Sequence, residues 1–158
     1  MMIRDAQWPK DRETALAFID GLQRYEHGVE PNRRTDAAVA AEYFDVLMAA
    51  VAENGGLVRI AEHDGRAVGW AVAWPERDEI YVRDEERLYL YISELYVDEA
   101  LRGGGIGLAL IASCEDWARA QGIAQSRIGV LAENSRAAQV YARAGYRAYA
   151  IRLAKRLD

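Results

Sequence analysis

The sequence predicts an α/β domain, and two observations carry that prediction. Apolar runs of strand chemistry alternate with amphipathic helical patterns along nearly the whole chain, in the order β-α-α-β-β-β-α-β-α-β. One of those strands, Leu88 to Val97, passes through a glycine-rich turn straight into a helix that opens at Ile106. Such a junction makes a phosphate site: N–H groups point outward, the helix dipole favours negative charge, and missing side chains let a ligand approach. Arg102 adds a fixed positive charge beside it. The 158 residues suit one domain, spanning 1–158, with a sizeable core.

Each element has its own signal. Met2 to Asp5 reads as a short strand, broken by Trp8-Pro9. Asp11 to Arg24 carries Leu16, Phe18, Ile19 and Leu22 at helical spacing, and Gly21 weakens it towards its end. Tyr25 to Arg34, with Gly28 and Pro31, reads as a loop. Thr35 or Asp36 is placed to cap a second helix through Val51, stopped at Asn54-Gly55-Gly56. Leu57 to Glu62 and Ala67 to Trp74 flank Asp64-Gly65, a strong hairpin signal, and Pro75 is expected to end the second strand. Glu76 to Arg87 is a charged connection. The helix from Ile106 runs to about Gln121, with Gly122 as its stop. Ser126 to Leu131 is a further strand. Asn134 to Ala144 is a short helix with Asn134 as cap and Gly145 past its end. Tyr146 to Leu153 reads as a closing strand.

Composition excludes several function classes. A net charge of -5 supplies no general electrostatic reason to bind nucleic acid or an anionic membrane. Cys114 is alone, so no intrachain disulfide forms and a reducing compartment fits. No apolar run spans a bilayer and no leader pattern opens the chain, so a soluble, cytoplasmic protein is expected. His27 and His63 stand in no metal-ligand spacing, and no metal is expected.

The glycine turn fits neither of two familiar nucleotide patterns. A Walker A loop needs Lys-Ser/Thr after its last glycine, where this chain has Leu108 and Ala109. A dinucleotide fingerprint needs a third glycine where Leu108 stands. What remains is Arg-x-x-Gly-x-Gly at Arg102, Gly105 and Gly107. It follows Glu94-Leu95-Tyr96-Val97 and precedes, by about thirty residues, Asn134-Ser-Arg-Ala-Ala-Gln-Val-Tyr141 and Gly145-Tyr146. This combination resembles the Gcn5-related N-acetyltransferase superfamily, most specifically from Glu94 to Tyr146.

The resemblance implies a mixed, mostly antiparallel central sheet flanked by about four helices. It also implies acetyl-CoA as cosubstrate and direct transfer of acetyl to a primary amine. In that frame Arg102, Gly103, Gly104, Gly105, Ile106 and Gly107 hold the pyrophosphate. Leu95, Tyr96 and Val97 run beside the pantetheine arm as an added strand, with an oxyanion donor near Tyr96 or Val97. Asn134, Ala138 and Tyr141 share a helix face turned to the cofactor, and the Tyr141 phenol is placed to protonate the departing thiolate. Glu94 takes the position of general base. Strand alternation puts it with Ile92 and Tyr96, opposite Ser93, Leu95 and Val97. A paired strand carboxylate is an equally simple account of Glu94, and helix capping alone explains an asparagine at 134.

The acceptor side carries less signal. Tyr25, Glu26 and His27 are candidates to touch the acceptor, which is a small-molecule or a peptide amine. Six acidic residues between Glu76 and Glu86, against Arg77 and Arg83, either attract a cationic amine or only keep a surface loop soluble. A homodimer through the closing strand is compatible with its apolar pattern. A non-catalytic acyl-CoA-binding module is the rival function; it keeps the glycine turn and needs neither Glu94 nor Tyr141.

Overall fold

In the computed structural model, which describes residues 1–157, one sheet holds five strands in their sequence order. They are β1 (Met2–Asp5), β2 (Leu57–His63), β3 (Arg66–Arg77), β4 (Leu88–Val97) and β5 (Ser126–Ile128). The first three pairings are antiparallel and β4–β5 is parallel, so the expected mixed sheet is present. The helices are α1 (Arg12–Val29), α2 (Val39–Asn54), α3 (Ile106–Ala120) and α4 (Ser135–Arg143). No helix among the described residues is long and apolar enough to cross a membrane.

The sheet is covered on both faces. On one, Leu57, Ala61, Ala71, Leu90 and Ile92 meet Ile106, Leu110, Ile111 and Cys114 of α3. On the other, Val58, Ile60, Trp70, Val72 and Trp74 meet Ala15, Phe18 and Ile19 of α1 and Phe44 and Leu47 of α2. Burying each large side chain of this kind stabilises the fold by about 1.5–3 kcal/mol.

Several boundaries depart from the sequence expectation. Helix α1 continues through Gly28 and ends where Glu30, the residue before Pro31, turns extended, so Tyr25, Glu26 and His27 lie on a helix rather than a loop. Gly21 does not end it. A Cβ there would stand 2.5 Å from the Tyr96 hydroxyl, so the glycine makes room for that ring. Helix α2 starts at Val39, and neither Thr35 nor Asp36 caps it. Asp36 instead accepts from the Ala38 N–H at 3.2 Å, just ahead of the helix. Pro75 does not stop β3. It pairs with Leu90 beyond Ala73, the last β3 partner of β2, so its missing N–H faces no strand on that side.

The C-terminal expectation fails. Strand β5 stops at Ile128 instead of Leu131, and Tyr146 to Leu153 forms no strand. A strand needs a paired edge, and β5 offers one only three residues long. Tyr146 still joins the α3-side core, but Ile151 and Leu153 are exposed.

Candidate active site

Sheet geometry builds the site. Pairing between β4 and β5 covers only Leu90–Ile92 against Ser126–Ile128, while β3 stays paired with β4 as far as Val97. Beyond Ile92, β4 therefore has an open side. The Asp98 N–H donates to Val68 O at 2.8 Å, so the even-numbered backbone groups here face β3. Tyr96 O faces the same way: a Cβ on Gly69 would come within 2.6 Å of it. Alternation then turns the N–H groups of Leu95 and Val97 to the open side. The Tyr96 N–H therefore does not face the open side; those of Leu95 and Val97 do.

A bulge decides where Glu94 points. Val72 pairs with Glu94 but Ala73 with Ile92, which leaves Ser93 as the extra residue. Leu90 and Ile92 face α3 before the bulge, and Leu95 and Val97 pack on that side after it. Glu94 and Tyr96 are thereby turned to the α1–α2 side, and the expectation that Ile92 shares their face is incorrect. The spacing of three between Ile92 and Leu95, where a regular strand would show two, is the trace of this bulge in the sequence.

Glu94 is buried, and its Oε1 accepts from the Tyr43 hydroxyl at 2.6 Å. Burial raises its pKa to about 7, the Tyr43 hydrogen bond pulls the other way, and the negative charge of Glu26 raises it further. A carboxyl group poised there exchanges protons readily near neutrality. Tyr43 lies on the face of α2 packed against the sheet, and a phenol among apolar neighbours in the sequence is the clue to its partner.

At the end of β4 the chain turns through Gly103 (φ 87°) and Gly105 (φ 84°), both left-handed. The first helical bond of α3 runs from the Ala109 N–H to Gly105 O. Among the described residues the amides from Gly103 to Leu108 have no backbone acceptor, and they converge at a helix N-terminus. Arg102 lies beside them. Its Nε donates to Val97 O at 2.8 Å, and its guanidinium rests on the rings of Tyr25 and Tyr96.

A cavity of about 210 Å³ connects this turn with the open side of β4. It brings together most of the predicted residues: Leu95, Tyr96, Val97, Arg102, Gly103, Gly105, Ile106, Gly107, Asn134, Tyr141, Tyr25 and Glu26 all line it. Gly104 and His27 do not, and His27 Nδ1 instead meets Arg33 O at 2.9 Å. Ala138 is exposed; Ala137, one residue earlier, lines the cavity with Asn134 and Tyr141. Glu94 does not line it either, although its neighbour Ser93 does.

Asn134 caps α4 by accepting from the Ala137 N–H at 3.1 Å, and the same oxygen accepts from the Tyr25 hydroxyl at 3.2 Å. Tyr141 has no hydrogen-bond partner for its hydroxyl among the described residues. Burial, with the charges of Glu26 and Glu94, raises its pKa, so the phenol holds its proton. No group of three or more metal-binding side chains occurs among the described residues.

A sequence profile of the acetyltransferase (GNAT) family matches residues 14–146, most of the chain. The chain belongs to that family. Solved GNAT-like structures share the fold throughout. A tetramutant of the BH1408 protein from Bacillus halodurans is 21% identical, with a TM-score of 0.84 and coverage of 99% of this chain and 100% of that one. Aminoglycoside antibiotic 6'-N-acetyltransferase from Acinetobacter haemolyticus is 17% identical, with a TM-score of 0.74 and both chains covered to 100%. Glucosamine-6-phosphate N-acetyltransferase from Arabidopsis thaliana is 17% identical, with a TM-score of 0.68 and coverage of 99% and 98%. No curated protein matches the chain significantly. GNAT membership supports acyl transfer as the general chemistry of this site.

Proposed function

We propose that this GNAT chain is an acetyl-CoA-dependent N-acetyltransferase that passes acetyl directly to a primary amine. One observation carries the proposal: a buried carboxyl group with a pKa of about 7 stands behind a cavity whose other end is a glycine turn of unpaired amides. An alkylammonium has a pKa of roughly 10, so an amine must lose a proton before it attacks. Glu94 takes that proton, directly or through water, while Tyr43 holds its carboxylate.

Acetyl-CoA supplies the thioester, and its pyrophosphate fits the amides of Gly103 to Gly107. The unpaired N–H of Leu95 or Val97 stabilises negative charge developing on the carbonyl oxygen. As the new C–N bond forms and the C–S bond breaks, Tyr141 donates its proton to the departing thiolate. The phenol arrives protonated, its pKa held up by burial and by the charges of Glu26 and Glu94. Ala137 leaves room for the pantetheine arm between Asn134 and Tyr141. The acceptor enters from the side of Tyr25 and Glu26. The neighbours named for aminoglycoside and glucosamine-6-phosphate N-acetylation favour a small amine over a polypeptide.

Thermal unfolding with acetyl-CoA, ATP and NAD, followed by a panel of amines scored for free CoA, tests the reading. Acetyl-CoA at about a hundred times its Kd should stabilise the fold by about 2.7 kcal/mol. Stabilisation by ATP or NAD but not by acetyl-CoA overturns the cofactor assignment. Among amines that release CoA, Tyr141→Phe should lower kcat by about 10²–10⁴ with little change in cofactor affinity. An unchanged kcat removes Tyr141 as the acid.

A further inference from the structure

Charge is distributed unevenly around the cavity. The whole chain is acidic at -5, yet Arg102, Arg136 and Arg143 all line this one hollow. The carboxylate lining it, Glu26, is already paired with Arg33 at 3.1 Å. Arg136, Val140 and Arg143 are spaced i, i+4, i+7 on α4, so they share a face beside the one that carries Asn134, Ala137 and Tyr141.

That arginine face abuts the glycine turn. A Cβ on Gly107 would stand 3.8 Å from Val140 Cγ1. Several arginines elsewhere are matched, among them Arg4 with Asp11, Arg34 with Asp36 and Arg127 with Asp78. Arg102 is engaged with Val97 O and two tyrosine rings. Neither Arg136 nor Arg143 has a hydrogen-bond or ion-pair partner among the described residues. Two unmatched guanidinium groups at the rim of a hollow in an acidic protein are a site for an anion.

The proposed cosubstrate has more anion than the turn can use. The amides of Gly103 to Gly107 suffice for a pyrophosphate. Coenzyme A carries a further phosphate on its ribose, a monoester at the 3′ oxygen with a charge near -2 at neutral pH. We infer that Arg136 and Arg143 bind the 3′-phosphate and make this chain selective for coenzyme A over its 3′-dephospho form. The inference rests on the acyl-CoA reading above and adds which end of the molecule α4 recognises.

Calorimetric titration of the full chain with CoA and with 3′-dephospho-CoA tests it, in the wild type and in Arg136→Gln, Arg143→Gln and the double variant. Guanidinium–phosphate hydrogen bonds predict that the wild type binds CoA about tenfold or more tightly than dephospho-CoA. In the double variant that ratio should fall towards one, while the affinity for dephospho-CoA stays put. Both side chains are exposed, so folding should be unaffected, and the ratio within one protein is its own control. Equal weakening of both ligands would overturn the inference, because it would move the arginines onto the pyrophosphate. Equal wild-type affinities overturn it as well. If neither nucleotide binds, the acyl-CoA reading falls first and takes this inference with it.

Discussion

Tyr43→Phe isolates the electrostatics of the proposed base without touching its carboxylate. The substitution keeps the ring and removes one donor, the hydroxyl 2.6 Å from Glu94 Oε1. A hydrogen bond to a charged acceptor contributes about 1.5–3 kcal/mol, and one pH unit of proton affinity corresponds to about 1.4 kcal/mol. Tyr43 favours the carboxylate, so its loss should raise the Glu94 pKa from about 7 by about one to two pH units. At pH 7 the wild-type group is about half ionised, and the variant should be roughly a tenth to a hundredth ionised, a loss of about 5- to 50-fold. The assay is kcat/KM against pH from 5 to 10 for any amine that releases CoA. The acid limb should move up by one to two pH units, and the rate should recover on its alkaline side. An unmoved limb would refute Glu94 as the titrating base. A uniform loss at every pH would show that Tyr43 acts through packing instead.

Four further outcomes follow from the same structure. Burial raises Glu94 from 4.5 to about 7, so the folded state favours the protonated form and loses stability as pH rises through that window. Relative to Glu94→Gln, the wild type should weaken by on the order of 3 kcal/mol between pH 4 and pH 8, read from urea midpoints; parallel curves would contradict this. Gly107→Ala should fold normally, since the nearest atom to the new Cβ is 3.8 Å away, but should weaken acetyl-CoA binding. Gly69→Ala should destabilise outright, because its Cβ would meet Tyr96 O at 2.6 Å; a comparison of their Tm values separates ligand space from fold space. Asp11 accepts from Arg4 at 2.7 and 2.8 Å and from the Gln7 N–H, and the Arg4 bonds hold its pKa below the ordinary range. Its contribution is present above the ordinary carboxylate pKa and lost as pH falls through the lowered value. Asp11→Asn should therefore cost about 3 kcal/mol at pH 7 and flatten the acid limb of unfolding.

Much of this is legible in the sequence. The turn at Gly103 to Gly107, the helix from Ile106 and the cap at Asn134 are local events, set by conformational preference within a few residues. The hairpin at Asp64-Gly65 is of the same kind. Errors fell where a neighbour in space overrode a local rule. Gly21 looked like a weak point near the helix end until Tyr96 filled the space above it. Pro75 looked like a strand end until β2 proved to start too late to need its N–H. Tyr146 to Leu153 had strand composition but only the three-residue edge of β5 to pair with.

By itself, then, the sequence determined the order of elements as far as α4, the glycine turn that opens α3 and the residue types available for acyl transfer. Those follow from backbone conformation and period, which short stretches encode. Only the tertiary structure decided which way Glu94 points, that Tyr43 holds it, that Ala137 and not Ala138 faces the cavity, and that Arg136 and Arg143 stand unmatched at its rim. Each depends on a bulge, a helix rotation or the absence of a nearby carboxylate. Such facts are relations between segments far apart in the chain, and no single segment carries them.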